Sequence, residues 1–261
     1  MNIASDKPAS NSFLARRFTR ALLRKQRGRA FMLYQLAEAE VADEGLVFER
    51  LVASVQDPEL AKMVRKHRDD EQRHNKMLLE AARTTGIESM PIPVELSMVL
   101  RLDRQLGSLA EAFISGTVGV LHACALLLVL EERAVREYPL AVEVMREFDP
   151  ASADVLARVL ADERRHVRYA IAVGRKYARD ELEFFDLVTK FRIAEERAFM
   201  EHTVAMTQHA LDNDLLDMGF VERAAWRALM RLTELRLGSS RTVTAPTSVG
   251  GSVPEIPVQA A

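Results

Sequence analysis

A five-residue motif that occurs twice constrains this chain more than any other feature. Asp70-Glu71-Gln72-Arg73-His74 returns as Asp162-Glu163-Arg164-Arg165-His166, so both copies read Asp-Glu-x-Arg-His at an offset of 92 positions. Other residues repeat in the same register without a gap: Asp57-Pro58 with Asp149-Pro150, Ala61 with Ala153, Glu40 with Glu132, and Ala42 with Ala134. Glu-x-x-His alone is a common pattern, and the shared register is what marks a duplicated unit. In each copy a Glu stands 31 residues before the motif's Glu, with Asp-Pro between them. Asp-Pro is a helix-start signal, because the Asp side chain caps free N–H groups and Pro fits the first helical position. Each unit therefore reads as a helix carrying one Glu, a short turn, and an antiparallel helix carrying the motif. Two such hairpins make a four-helix bundle.

Apolar spacing fills in the rest, and no segment shows strand alternation, so the chain is expected to be all-α. A first helix should run from about Ala15 to Val55, and a second from Pro58 to about Thr84, stopping near Gly86. Pro91 and Pro93 then break the chain. A long crossover of about twenty residues, partly helical, leads to the third helix. That helix should weaken near Pro139 and resume to Phe148, and the fourth should run from Pro150 to about Arg179. Two additional C-terminal amphipathic helices, about Asp180 to Leu211 and about Leu216 to Leu237, would cover the bundle or a partner. The expected organisation is thus a basic lead-in over 1–30 that starts the first helix, the bundle over 31–180, extra helices over 181–237, and a disordered tail over 238–261.

The formal net charge of −2 gives no global case for nucleic-acid binding. Cys124 is the only cysteine, which rules out an intrachain disulfide and a four-cysteine rubredoxin iron site. With no signal-peptide pattern at the N-terminus, the expected location is cytoplasmic. Residues 1–30 carry eight Lys/Arg and one Asp, interleaved with Phe13, Leu14, Phe18, Leu22 and Leu23. They read as a solvated basic segment packing an apolar stripe on the bundle, with attachment to an anionic membrane surface or nucleic acid as the sharper alternative. Ala112 to Leu130 is nineteen residues without a formal charge, long enough for a membrane span. It contains Ser115, Gly116, Thr117, Gly119 and His122 and leads into Glu131-Glu132, so it reads as a helix buried on all sides by other helices.

One Glu from each of two helices, plus one Glu-x-x-His from each of the other two, resembles the ferritin-like carboxylate-bridged di-iron proteins over residues 31–175. The resemblance implies a ferritin-like bundle whose metal ligands are Glu40, Glu71, His74, Glu132, Glu163 and His166. Glu71 and Glu163 would bridge, and Glu40 and Glu132 would be terminal. Asp70 and Asp162 would hydrogen-bond the ligand histidines and set their tautomer. The implied cofactor is two iron ions, and the same donors accept a Mn/Fe pair. Four carboxylates would neutralise two divalent cations and repel one another without them. Glu38, Glu44 and Glu131 compete for the terminal positions, but their counterparts at the repeat offset are Leu130, Arg136 and Ala39. His67, His122, His202 and His209 are not placed by the repeat and read as core or surface histidines. Tyr34 and Tyr169 lie near the ligands in sequence.

The function implied by the resemblance is a non-haem di-iron oxidoreductase that activates O2 or peroxide as an oxidase or oxygenase on an unknown small-molecule substrate. The segment before Glu132 is a candidate wall for an apolar pocket or simply core. A remote resemblance to demethoxyubiquinone hydroxylases adds a minor variant. An external electron donor protein would be needed, since the rubredoxin cysteines are missing. The alternatives are a ferroxidase or other iron-handling protein, and a non-catalytic helical interaction protein. A homodimer through the C-terminal helices fits any of these.

Overall fold

The computed structural model describes residues 13–40, 48, 51–53, 55–107 and 119–239. Among these residues eight α-helices and one 3-10 helix have defined bounds, residues 48 and 51–53 are also helical, and there is no strand. The helices are α1 (Phe13–Arg24), α2 (Gln26–Ala39), α3 (Pro58–Thr84), α4 (Met98–Leu106), α5 (Val120–Phe148), α6 (Pro150–Tyr177), α7 (Glu181–Asp212) and α8 (Phe220–Ser239), with the 3-10 turn at Val94–Leu96. Both Asp-Pro signals act as expected. Asp57 Oδ1 accepts from the N–H groups of Glu59 at 2.9 Å and Leu60 at 3.2 Å, opening α3. Asp149 Oδ1 accepts from the N–H of Ser152 at 3.1 Å, opening α6.

The first helix departs from expectation. Instead of one rod to Val55, the chain leaves helical geometry at Lys25 (φ −81, ψ 135), and α2 ends at Ala39 with Glu40 as its C-cap. The break goes with a close approach at Gly28. A Cβ there would lie 2.0 Å from the Leu22 carbonyl oxygen and 2.7 Å from that of Leu215, so only glycine lets these backbones meet. The detached α1 is clamped by its own arginines. Arg16 and Arg20 pair with Glu143 and Glu147 on α5, and Arg17 pairs with Glu222 on α8. Its apolar stripe buries Ala21, Leu22 and Leu23. Arg16, Arg17 and Arg20 are therefore engaged inside the chain. Beyond Glu40, residues 41–47 of the expected helix lie outside the described residues.

The remaining helices fall close to their expected spans. Pro139 sits inside a continuous α5 rather than weakening it. The two hairpins pack as expected, α2 on α3 and α5 on α6, and the two motif helices α3 and α6 face each other. α7 covers α5 and α4, and α8 lies on α7. Gly174 lets α6 and α7 close up, since a Cβ there would lie 2.3 Å from the Phe184 ring. From Ala123 to Val129 α5 is buried all round, so the described part of the charge-free run is core. No helix of the described residues is long and apolar enough to cross a membrane. Residues 108–118 and the tail over 240–261 lie outside the described residues.

Two apolar clusters bracket a polar middle layer. One includes Val64 of α3, Leu127 of α5, Ala170 of α6 and Phe191 of α7. The other includes Leu33 of α2, Leu78 of α3, Val144 of α5 and Leu156 of α6. Each fully buried large apolar side chain contributes about 1.5–3 kcal/mol, so the bundle can carry a costly polar layer between them. Along α3 that layer is His67, Asp70, Glu71 and His74, all buried.

Candidate metal centre

Residues 67, 71 and 74 fall at i, i+4 and i+7 on α3, which places them on one face. Glu163 and His166 face them from α6, Glu131 from α5, and Glu40 from the end of α2, where Asn75 of α3 holds the Ala37 carbonyl at 2.7 Å. These side chains form two buried groups, His67/Glu71/Glu131/His166 and Glu40/Glu71/His74/Glu163, within each of which one donor atom per residue lies within 4.8 Å of the others. Glu71 spans both groups: Oε1 is 3.2 Å from His166 Nδ1, and Oε2 is 3.5 Å from His74 Nδ1. Glu163 does the same from the opposite helix, with Oε1 3.4 Å from His74 Nδ1 and Oε2 2.9 Å from His166 Nδ1. Glu40 serves one end only. Its Oε2 is 3.2 Å from His74 Nδ1, and its Oε1 accepts from the Tyr138 hydroxyl at 3.2 Å.

Five of the six sequence-derived candidates are brought together, and Glu132 is not. Its carboxylate faces α7, where it accepts from Arg192 Nε at 2.8 Å and Nη2 at 2.6 Å. Glu131 fills the place instead, with Oε1 2.8 Å from His67 Nε2 and 3.7 Å from His166 Nδ1. A helix turns about 100° per residue, so one position decides which neighbour a side chain meets. His67 is the second residue that the sequence reading set aside. Its spacing from Glu71 and His74 was a usable signal, overridden because its repeat counterpart is Val159. Of the other histidines, His209 stacks on Phe31 at 5.0 Å, and His122 and His202 lie outside both groups. Tyr34 donates to the Ile87 carbonyl at 2.8 Å, whereas the Tyr169 hydroxyl meets Nδ1 of His67.

Asp70 and Asp162 support the histidines crosswise. Asp162 Oδ2 lies 3.2 Å from His74 Nε2, and Asp70 Oδ2 lies 3.4 Å from His166 Nε2. Arg73 binds Asp70 at 2.7 Å and also reaches Asp162, while Arg165 binds Asp162 at 2.6 Å and also reaches Asp70. With Nε2–H given to an aspartate, each imidazole can turn its Nδ1 lone pair toward the carboxylates. Burial works against the Asp70 charge, but Lys66, Arg165 and Arg73 hold its pKa down at about 2.

Without a cation the cluster keeps itself together with protons. Burial pushes Glu71 and Glu163 well above the usual carboxylate range, reinforced by the neighbouring charges of Glu40 and Glu131 respectively. Burial also opposes the charge on Glu40, but hydrogen bonds with Glu71 and His74 hold its pKa low. His74 and His166 are raised to about 9 and about 12, the surrounding carboxylates outweighing burial. His67 goes the other way, held neutral by burial and by His166. Two buried atoms in this layer, Nε2 of His67 and Oε1 of Glu71, have no hydrogen-bond partner. Carboxylate and imidazole donors of this kind suit iron or manganese better than a thiolate-seeking metal. The residues present fit a pair of divalent cations.

A cavity of about 640 Å³ borders the centre. Glu40, Glu71, Glu131 and Glu163 all line it, and none of the three clustered histidines does. The rest of its wall is largely apolar, including Phe18, Leu36, Met98, Phe199, Trp226 and Met230. Of the described part of the charge-free run, only Leu130 reaches it. The cavity wall comes instead from α1, α2, α4, the part of α5 that follows that run, and the C-terminal helices. No family model, curated protein or solved structure matches this chain.

Proposed function

We propose that this protein is a non-haem di-iron oxidoreductase that activates O2 or peroxide and oxidises a neutral, mostly apolar small molecule. The observation that carries this reading is the cavity, which opens on the four carboxylates of the centre and is otherwise largely apolar in its walls. Glu40, Glu71, Glu131 and Glu163, with His67, His74 and His166, would hold the cations. When bound, iron supplies the electrons that reduce O2 or peroxide. The protein's part is to hold the donors, exclude water and orient the substrate. Arg133 is the only Arg or Lys among the described lining residues, and it is already engaged. Glu195 takes its Nε at 2.7 Å and its Nη2 at 2.8 Å, and Glu137 takes its Nη1 at 3.3 Å. A carboxylate or phosphate on the substrate would find no free Arg or Lys among the described lining residues. His202 also lines the cavity, and its buried Nδ1 is unpartnered, which suits a substrate hydroxyl or N–H. Cys124 is buried in the core and offers no second redox site, so reducing electrons would come from an external protein.

The test is metal analysis of the full chain loaded with Fe(II) without oxygen, then mixed with O2 while absorption is followed. Two irons per chain and an oxo-bridged ferric band, both lost in His74→Ala and His166→Ala, are expected. Fewer than two metals at saturation would overturn the reading. Fast Fe(II) oxidation in a many-subunit cage, with no substrate turnover, would favour a ferroxidase.

A further inference from the structure

We infer that the two cation positions are chemically unequal: His67 completes a nitrogen-rich position with His166, Glu71 and Glu131, and this position fills before the oxygen-rich one formed by Glu40, Glu71, His74 and Glu163. This rests on the proposed two-metal reading and adds an order of filling to it.

His67 is only 1 % exposed, and its ring is fixed on three sides. It stacks on His166 at 3.6 Å between ring centroids, the Phe48 ring meets it at 4.5 Å, and its Nδ1 is tied to the Tyr169 hydroxyl. That leaves Nε2 aimed at the carboxylates. It lies 2.8 Å from Oε1 of Glu71 and 2.8 Å from Oε1 of Glu131, yet it makes no hydrogen bond. With Nδ1 occupied by the Tyr169 hydroxyl, Nε2 meets two carboxylate oxygens without a hydrogen bond to either. Such an arrangement is repulsive when empty and attractive around a cation. The duplication offers no matching donor in the other half, since the counterpart of His67 is Val159, a fully buried core residue. The inequality is therefore written into the sequence rather than into one rotamer. Imidazole nitrogen raises affinity for the later first-row divalent metals, while carboxylate-dominated sets suit manganese and early metals.

The experiment is an anaerobic titration of the chelator-stripped full chain with Co2+, followed by visible d–d absorption and calorimetry. Two resolved steps are expected in the wild-type chain. Loss of a hydrogen bond supporting a ligand typically costs about 10–100-fold in metal affinity, so loss of a donor atom should cost at least about 100-fold. His67→Ala should weaken the first step by that factor and change its absorption, with the second step retained. Glu40→Gln, which keeps the shape and neutralises a carboxylate at the other end, should weaken the second step alone. Should His67→Ala fail to fold, Tyr169→Phe releases the ring and should weaken the first step selectively. Two steps of equal affinity, or a first step indifferent to both position-67 and position-169 changes, would overturn the inequality and leave the two-metal reading standing. A wild-type chain that takes up fewer than two Co2+ would overturn the two-metal reading itself.

Discussion

Stripped of metal, the protein should lose stability as pH rises from 6.5 to 9, and bound cations should remove most of that loss. His74 titrates near 6.5 when unfolded and near 9 in the fold, so the fold holds an extra proton across this window. A raised pKa contributes stability that is fully present below 6.5 and is gone once pH passes 9. At about 1.4 kcal/mol per pH unit, the His74 shift corresponds to roughly 3 kcal/mol. His166, Glu71 and Glu163 are also raised and act with the same sign. Asp70 has the opposite sign, but its contribution is lost only as pH falls from 3.8 through about 2, well outside the window. The lowered histidines, His67, His202 and His209, add nothing above 6.5. For a chain of this size 1 kcal/mol moves Tm by about 2–4 °C, so the metal-free Tm should fall by roughly 6–12 °C. Cations displace the same protons, and a cation present at 100 times its Kd adds about 2.7 kcal/mol per site. The gap between loaded and stripped protein should therefore widen with pH. The assay is circular-dichroism melting at pH 6.5, 7.5 and 9, with chelator and with excess Mn2+. A metal-free Tm that is flat or rises across this range, or a loaded Tm that falls in parallel, would falsify the assignment of these protons to the cluster.

Glu131→Gln should abolish tight uptake of one metal, whereas Glu132→Gln should leave uptake intact and cost no more than about 1 kcal/mol, because its partner Arg192 is 44 % exposed. Metal titration of the two variants reads this directly, and the reverse result would restore Glu132 as the ligand. Asp162→Asn should loosen His74, the histidine of the other motif, and weaken metal binding by about 10–100-fold. Equilibrium competition against a chelator measures it, and an unchanged affinity would refute the crossed support. Trp226 is the only tryptophan and lines the cavity, so its fluorescence reports occupancy. Saturable quenching by 4-iodophenol is expected, with little quenching by 4-iodobenzoate and loss of the phenol response in Ala134→Phe. Stronger quenching by the benzoate would contradict the neutral-substrate argument.

Much of the architecture was legible because its signals are local. The Asp-Pro caps and the stop after Thr84 follow from residues close together in sequence, and the facing of the two motif helices follows from the duplication. Two parts of the centre were not legible, for separate physical reasons. A gap-free offset assumes that the two halves superpose residue by residue. Here α2 stops at Ala39 and leaves Glu40 as its cap, whereas α5 runs unbroken from Val120 to Phe148. One residue of slip rotates a side chain by about 100°, enough to exchange Glu131 for Glu132. The neighbourhood gave no correction, since Ala123 to Val129 are buried on every side and define no face. His67 was hidden by the duplication itself, which singles out what the halves share and passes over what distinguishes them.

The crossed contacts explain why the shared part takes the form of Asp-Glu-x-Arg-His rather than Glu-x-x-His alone. Each aspartate stands behind the histidine of the opposite motif, and each arginine touches both aspartates. Four charges of alternating sign thus form a closed ring on the outer side of the two histidines, and Lys66 adds a further positive contact to Asp70 at 3.2 Å. Neither hairpin contains a complete support for its own histidine. A lone hairpin would present an imidazole free to rotate and a carboxylate too exposed to hold a cation firmly, so the metal-binding geometry is a property of the paired hairpins and forms only when α3 meets α6.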